Sequence, residues 1–138
     1  IHNGKYQDLI HHAVHDAATG DGGIISNMTD LGIFINALFE GALISPESLE
    51  EMTTDLCLAI SNESGKLWFG LGIQKVVSDQ GTFFGHSGNT SSYNAYLYFY
   101  PATKSIMALA YNSDTTDESV WDENQDKVFD EIVRVTNE

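Results

Sequence analysis

The sequence predicts an α+β fold: an antiparallel sheet of about four strands, preceded by helices and followed by one helix that packs on it. Three observations predict this. Apolar residues in the first half recur at three- and four-residue steps, those between 67 and 112 form four runs of aromatic and branched side chains, and residues 121–135 return to helical spacing. The runs are joined by connections too short for the helical crossover that a parallel pair requires, so the strands are expected to be antiparallel neighbours.

The elements follow in order. Gly20-Asp21-Gly22-Gly23 reads as a loop, and Asn27 with Asp30 has the spacing of a capping box in which Asp replaces the usual Glu. A helix is expected next, with Leu31, Phe34, Ile35, Leu38 and Phe39 as its apolar stripe and Gly41 at its C-terminal cap. Ser45-Pro46 restarts a helix that buries Leu49 and Met52. The strands are expected at Leu67 to Val77, Thr82 to His86, Ser91 to Tyr100 and Lys104 to Asn112. The run Tyr93 to Tyr100 is apolar on both faces, which predicts a central strand covered on each side. Trp121, Val128, Phe129, Ile132, Val133 and Val135 then lie at helical spacing. The chain reads as a single domain over 1–138, with a helical part at about 7–55, a sheet at about 66–112 and a C-terminal helix at about 118–136.

Composition narrows the function. The 138 residues carry a formal net charge of −14, with scattered lysines and one arginine, Arg134, so no basic patch offers itself to nucleic acid or to an anionic membrane surface. A hydrophobic fraction of 42% excludes disorder. No apolar run reaches the ~18 residues needed to span a bilayer. Cys57 is the single cysteine and reads as a buried thiol. Ile1 in place of Met and the lack of a signal peptide predict a segment of a longer product, cut from a precursor or beginning inside a gene.

Two stretches could carry chemistry. On a helix, His11 and His15 would share a face, with His12 between them and Asp8 and Asp16 near enough to complete a metal site; the alternative is a polar turn facing solvent. Gly85-His86-Ser87-Gly88-Asn89 approaches a G-x-S-x-G nucleophile elbow, but its fifth residue is Asn89 and the residues beyond it alternate as a strand where an elbow needs a helix. Another reading makes the same residues the wall of a site. Small residues let a substrate backbone approach the strand, His86 or Ser87 touches a substrate carboxylate or moves a proton, and the amide of Asn89 points at a developing oxyanion. An ordinary sheet histidine beside a hydrogen-bonded serine is the structural alternative.

From Gly22 onward the chain resembles the C-terminal half of the serine beta-lactamase-like family, which includes penicillin-binding DD-peptidases, class C beta-lactamases and related esterases. The resemblance rests on anchors in family order: Gly22-Gly23-Ile24-Ile25-Ser26 running into Thr29-Asp30-Leu31 and Phe34; Leu38, Gly41, Leu43 and Ser45-Pro46; Met52; a strand Phe69-Gly70-Leu71-Gly72-Ile73; His86-Ser87-Gly88; and Tyr111-Asn112-Ser113. It implies an α/β domain whose antiparallel sheet is built partly from each end of the gene. It also implies that His86-Ser87-Gly88 is the third active-site motif, with His86 where a lysine often stands, Ser87 helping to hold a substrate carboxylate, Gly88 lining the site and the Asn89 amide as one oxyanion donor. Histidine there replaces a permanent charge with one that titrates, which favours an esterase or peptidase over a true beta-lactamase.

The family acylates the serine of a Ser-x-x-Lys motif, flanked by Tyr-x-Asn. The residues three before each lysine here are His2, Glu63, Gly72, Pro101 and Asn124, and no tyrosine has asparagine two positions later. The expectation is therefore a segment of an acyl-serine hydrolase acting on amide, beta-lactam or ester carbonyls in small-molecule or peptide substrates. Alone it would be inactive, with the nucleophile supplied by a missing N-terminal segment. No cofactor is expected, and the resemblance suggests an extracytoplasmic location, periplasmic or secreted. The alternatives are a non-catalytic binding or regulatory module of the same fold and a histidine-based metal-binding domain. In isolation the strand Lys104 to Asn112 would expose an open edge, which predicts a homodimer through that edge or its covering by residues 1–20.

Overall fold

A computed structural model describes residues 23–62, 65–89 and 93–112, together with Glu131 and Arg134. Two helices, α1 (Met28–Phe39) and α2 (Pro46–Thr54), precede six strands: β1 (Cys57–Asn62), β2 (Gly65–Phe69), β3 (Gln74–Ser78), β4 (Gly81–Asn89), β5 (Asn94–Tyr100) and β6 (Ser105–Tyr111). Each strand pairs antiparallel with the next, in the order β1-β2-β3-β4-β5-β6. The α+β class is as expected. The sheet has six strands where about four were expected.

The helix ends form where the sequence placed them. The Asn27 side chain accepts from the Asp30 amide at 3.0 Å, and its Nδ2 donates to the Asp30 carboxylate at 2.7 Å, so the return bond comes from the cap's side chain where a capping box with Glu takes it from the cap's backbone amide. At the other end Gly41 takes φ +76°, a left-handed exit that favours glycine. Ser45 Oγ accepts from the Ser48 amide at 3.2 Å, with Pro46 in the first turn.

α1 lies across β5 and β6, with Ile35 buried and the Phe39 ring stacked on Phe99 at 4.4 Å between centroids. Leu31 and Leu38 are half-buried, but Phe34, expected in the stripe, is exposed along with Ile33. The buried stripe is narrower than its spacing predicts because the sheet meets only the Ile35 and Phe39 side.

Two differences change the sheet. The run Leu67 to Val77 is not one strand, and Phe69-Gly70-Leu71-Gly72-Ile73 is mostly a connection: β2 ends at Phe69, the Gly70 amide donates to the Ile73 carbonyl at 2.7 Å, and Gly72 takes φ +71°. Gly70 also sits against α2, where a Cβ would collide with the Met52 carbonyl oxygen. β1 was not expected at all. Its Leu58 and Ile60 are exposed and its register shifts between them, so it lacks the inside and outside alternation that reveals a strand. Cys57, expected to be buried, is exposed on this strand.

β5 is covered on both faces, as expected. Phe99 lies beneath α1, while on the opposite face Tyr98, Tyr100 and Met107 pack with Phe83, which is 1% exposed. The Phe83 ring meets Tyr98 edge-on at 5.4 Å and stacks on Tyr100 at 4.8 Å. On the α1 face, Lys75 Nζ sits 5.6 Å from the Trp68 ring and 5.7 Å from the Phe84 ring.

Among the described strands, β1 and β6 form the two edges of the sheet. Of the expected C-terminal helix, Glu131 and Arg134 are described, both helical and joined at 2.8 Å; its remainder lies outside the described residues. So do His11, His12, His15, Asp8 and Asp16. Among the described residues no group of three His, Cys, Asp or Glu side chains could hold a metal, and no helix is long and apolar enough to cross a membrane.

Candidate active site on the free edge of β4

β4 is longer than β3, and the difference makes an edge. β3 begins at Gln74, opposite Gly85, so His86, Ser87, Gly88 and Asn89 run past its end. On their other side these four residues stay paired with Leu97, Tyr96, Ala95 and Asn94 of β5. The result is a strand end held by a neighbouring strand on one side only; on the other, side chains take the Ser87 backbone groups, its amide by Gln74 and its carbonyl by His86, and no strand pairs with Gly88 or Asn89 among the described residues. The outer end is pinned by a hydrogen bond of 2.5 Å from Asn89 Nδ2 to Asn94 Oδ1.

The four residues expected to form the site are thus brought together on one strand end. His86 is exposed, its ring 6.0 Å from Phe69 in an edge-on contact, and its Nδ1 lies 2.6 Å from the Ser87 carbonyl oxygen. A carbonyl only accepts, so Nδ1 carries the proton and Nε2 is left as an acceptor when the ring is neutral. Ser87 sits inside a strand, not on a strand-to-helix turn, so the elbow geometry is absent. Its Oγ is 3.3 Å from Gln74 Oε1, an amide oxygen that cannot serve as a general base.

The two glycines of the motif differ. A Cβ on Gly85 would collide with the Leu97 carbonyl oxygen and come within 2.7 Å of Tyr98 Cα, whereas a Cβ on Gly88 would meet nothing within 4 Å. Gly85 is required by the approach of β5. Among the described residues, Gly88 is required neither by packing nor by a left-handed φ.

Gln74 was not singled out in the sequence, and it is the residue that completes the local structure. It is 5% exposed, and its Oε1 accepts from the Ser87 amide at 3.0 Å and from the Tyr98 hydroxyl at 2.7 Å, as well as from Ser87 Oγ. Where the β3 backbone stops, this side chain takes over its role as acceptor. The only sequence signal was a lone amide between Ile73 and Lys75, which reads equally well as a solvent-facing strand position.

Burial pushes the Tyr98 hydroxyl up from 10.0 to about 12, opposed by its hydrogen bond with Ser87. Tyr98 therefore stays protonated through the neutral range. Because its folded value lies above the unfolded one, its contribution to stability is fully present below pH 10 and is lost as the pH rises towards 12, by up to ~2 to 3 kcal/mol. Urea unfolding from pH 9 to 12 is expected to show this decline, and Tyr98→Phe to lack that share of it; equal slopes in the two proteins would contradict the assignment.

The chain belongs to the beta-lactamase family, whose sequence model it matches over residues 2–128. Among solved structures it is similar to D-amino acid amidase from Ochrobactrum anthropi SV3 in complex with D-phenylalanine, at 24% identity and a TM-score of 0.66, covering 79% of this chain and 37% of that one. A second structure of that amidase matches at 25% identity and a TM-score of 0.61, covering 70% and 29% respectively. A D-stereospecific amidohydrolase from a Streptomyces species matches at 30% identity and a TM-score of 0.56, covering 64% and 26%. The chain thus spans between 26% and 37% of the length of these solved relatives. No curated protein matches it.

Proposed function

We infer that this chain is the C-terminal part of an acyl-serine amidohydrolase, and that residues 86–89 form one wall of its active site. The observation that carries the reading is the free end of β4, four residues that continue beyond β3 and include a glycine, Gly88, that no packing among the described residues requires. In the proposed complex the substrate lies along this edge at Gly88 and Asn89, beside the Ser87 backbone groups that Gln74 and His86 occupy. The Asn89 amide donates to the carbonyl oxygen as it becomes an oxyanion, and His86 Nε2 faces the polar groups of the reacting centre. The attacking serine belongs to a Ser-x-x-Lys segment outside these 138 residues, since none occurs within them. The exposed Ile33 and Phe34 on α1 and Leu58 and Ile60 on β1 support a larger assembly, being apolar surface that such a segment would cover.

Amides are preferred over beta-lactams as the substrate class. The structural relatives are named for amidase and amidohydrolase activity, and the third motif here lacks the permanent cation that would draw a carboxylate. The complete gene product carrying this chain is expected to release ammonia from D-amino acid amides and to leave a chromogenic cephalosporin largely intact. Rapid cephalosporin hydrolysis with no amidase activity would overturn the preference; no turnover of any acyl substrate would overturn the function.

A further inference from the structure

The resemblance to the family implies that Ser87 helps to hold a substrate carboxylate, which would require its hydroxyl to donate outward. Its surroundings direct the proton inward. Gln74 must present Oε1 to Ser87, because a flipped amide would set Nε2–H against the Ser87 N–H at 3.0 Å. The same oxygen takes the Tyr98 proton at 2.7 Å, and it lies 3.3 Å from Ser87 Oγ, which is also hydrogen-bonded to Tyr98. With Tyr98 donating to Gln74, both inner partners of Ser87 Oγ are acceptors for its proton. Lone pairs remain for the outer side. His86 behaves alike, its Nδ1 proton engaged by the Ser87 carbonyl and its Nε2 left as an acceptor in the neutral ring.

We propose that Gln74 is a positioning residue that fixes Ser87 as a hydrogen-bond acceptor, so that the free edge of β4 selects substrates bearing an N–H donor, a primary amine or ammonium, over those bearing a carboxylate. This deepens the amidohydrolase reading and rests on the site assigned there. It is tested by equilibrium binding, which needs no nucleophile and so fails or succeeds independently of turnover.

The 138-residue chain, labelled with nitrogen-15, is titrated by NMR at high salt with D-alaninamide, with N-acetyl-D-alanine, and with tetramethylammonium, which matches the charge of an ammonium but has no N–H. D-Alaninamide is expected to shift the amides of Ser87, Gly88 and Asn89 with an affinity about tenfold above that of N-acetyl-D-alanine, as one hydrogen bond to a charged group allows. Tetramethylammonium is expected to leave them unmoved. Gln74→Met leaves the Tyr98 hydroxyl to donate to Ser87 Oγ, which turns the Ser87 proton outward, and is expected to abolish or invert the preference, while Gln74→Glu keeps an acceptor and retains it. Should Gln74→Met not fold, Ser87→Ala removes the acceptor directly and is expected to lose the preference. Equal or tighter binding of N-acetyl-D-alanine to the wild type, a preference unchanged in Gln74→Met or Ser87→Ala, a response to tetramethylammonium equal to that of D-alaninamide, or no shift with either amino-acid ligand overturns the proposal.

Discussion

Gly85→Ala is expected to lower the stability of the chain by ~3 kcal/mol or more, a large share of the ~5 to 15 kcal/mol that holds a typical domain together. The added methyl would overlap the Leu97 carbonyl oxygen and lie 2.7 Å from Tyr98 Cα and 2.8 Å from the Leu97 carbonyl carbon. All three are backbone atoms of β5, so no change of rotamer relieves the clash. Separating β4 from β5 to make room would break the register that pairs Phe84 with Phe99 and Ser87 with Tyr96, and would open the core around Phe83 and Tyr98. Urea or thermal unfolding checks this. A Gly85→Ala protein within ~0.5 kcal/mol of the wild type, the range of ordinary surface substitutions, would mean that β5 does not approach so closely.

Gly88→Val is expected to do the reverse. No atom of the described residues lies within 4 Å of a Cβ placed there, and the position is exposed, so the fold should tolerate the side chain and gain a few tenths of a kcal/mol from a better strand former. In the proposed complete enzyme the same branched side chain would occupy space beside the substrate and would displace its carbonyl from the Asn89 amide. A fall in kcat/KM of ~10²-fold or more is expected, since misplacement by about an ångström at a reacting centre costs that much. The informative result is the pair: unchanged unfolding and lost turnover. Turnover within a few-fold of the wild type would place the substrate elsewhere.

These two glycines differ in a way that the sequence does not encode locally. In Gly85-His86-Ser87-Gly88 they look equivalent, although only Gly85 holds a glycine position of the nucleophile elbow that the segment approaches. One is demanded by a neighbouring strand and the other by nothing in the described residues, a distinction that depends on the distance to β5 and has no local signal. Local signals served well where the physics is local. Asn27, Asp30, Gly41 and Ser45-Pro46 marked the helix ends because caps act within one turn. Strands were harder. The aromatic run of β5 is evident in the sequence, but β1 with its exposed Leu58 and Ile60 is not, and the apolar residues around Gly70 and Gly72 have the look of a continuous strand although they turn the chain. Gln74 carries no local signal for a related reason. Its role arises from the unequal lengths of β3 and β4, which leave the Ser87 amide without a backbone partner, and that mismatch exists only once the strands are paired.

The motif residues themselves, His86 to Asn89, were legible as a group, and the register keeps them on one strand end. What the sequence could not tell is which way their protons point. A hydroxyl between an amide oxygen and a tyrosine is a three-dimensional fact.

The central claim is that the β4 edge is one wall of an acyl-serine site and that Ser87 is not its nucleophile. The most direct measurement is mass-spectrometric mapping of the serine modified by a fluorophosphonate, made on the 138-residue chain and on the complete gene product that carries it. The expected result is no adduct on the chain alone, and in the complete protein a single adduct on the serine of a Ser-x-x-Lys segment. An adduct on Ser87 in either protein would contradict the claim.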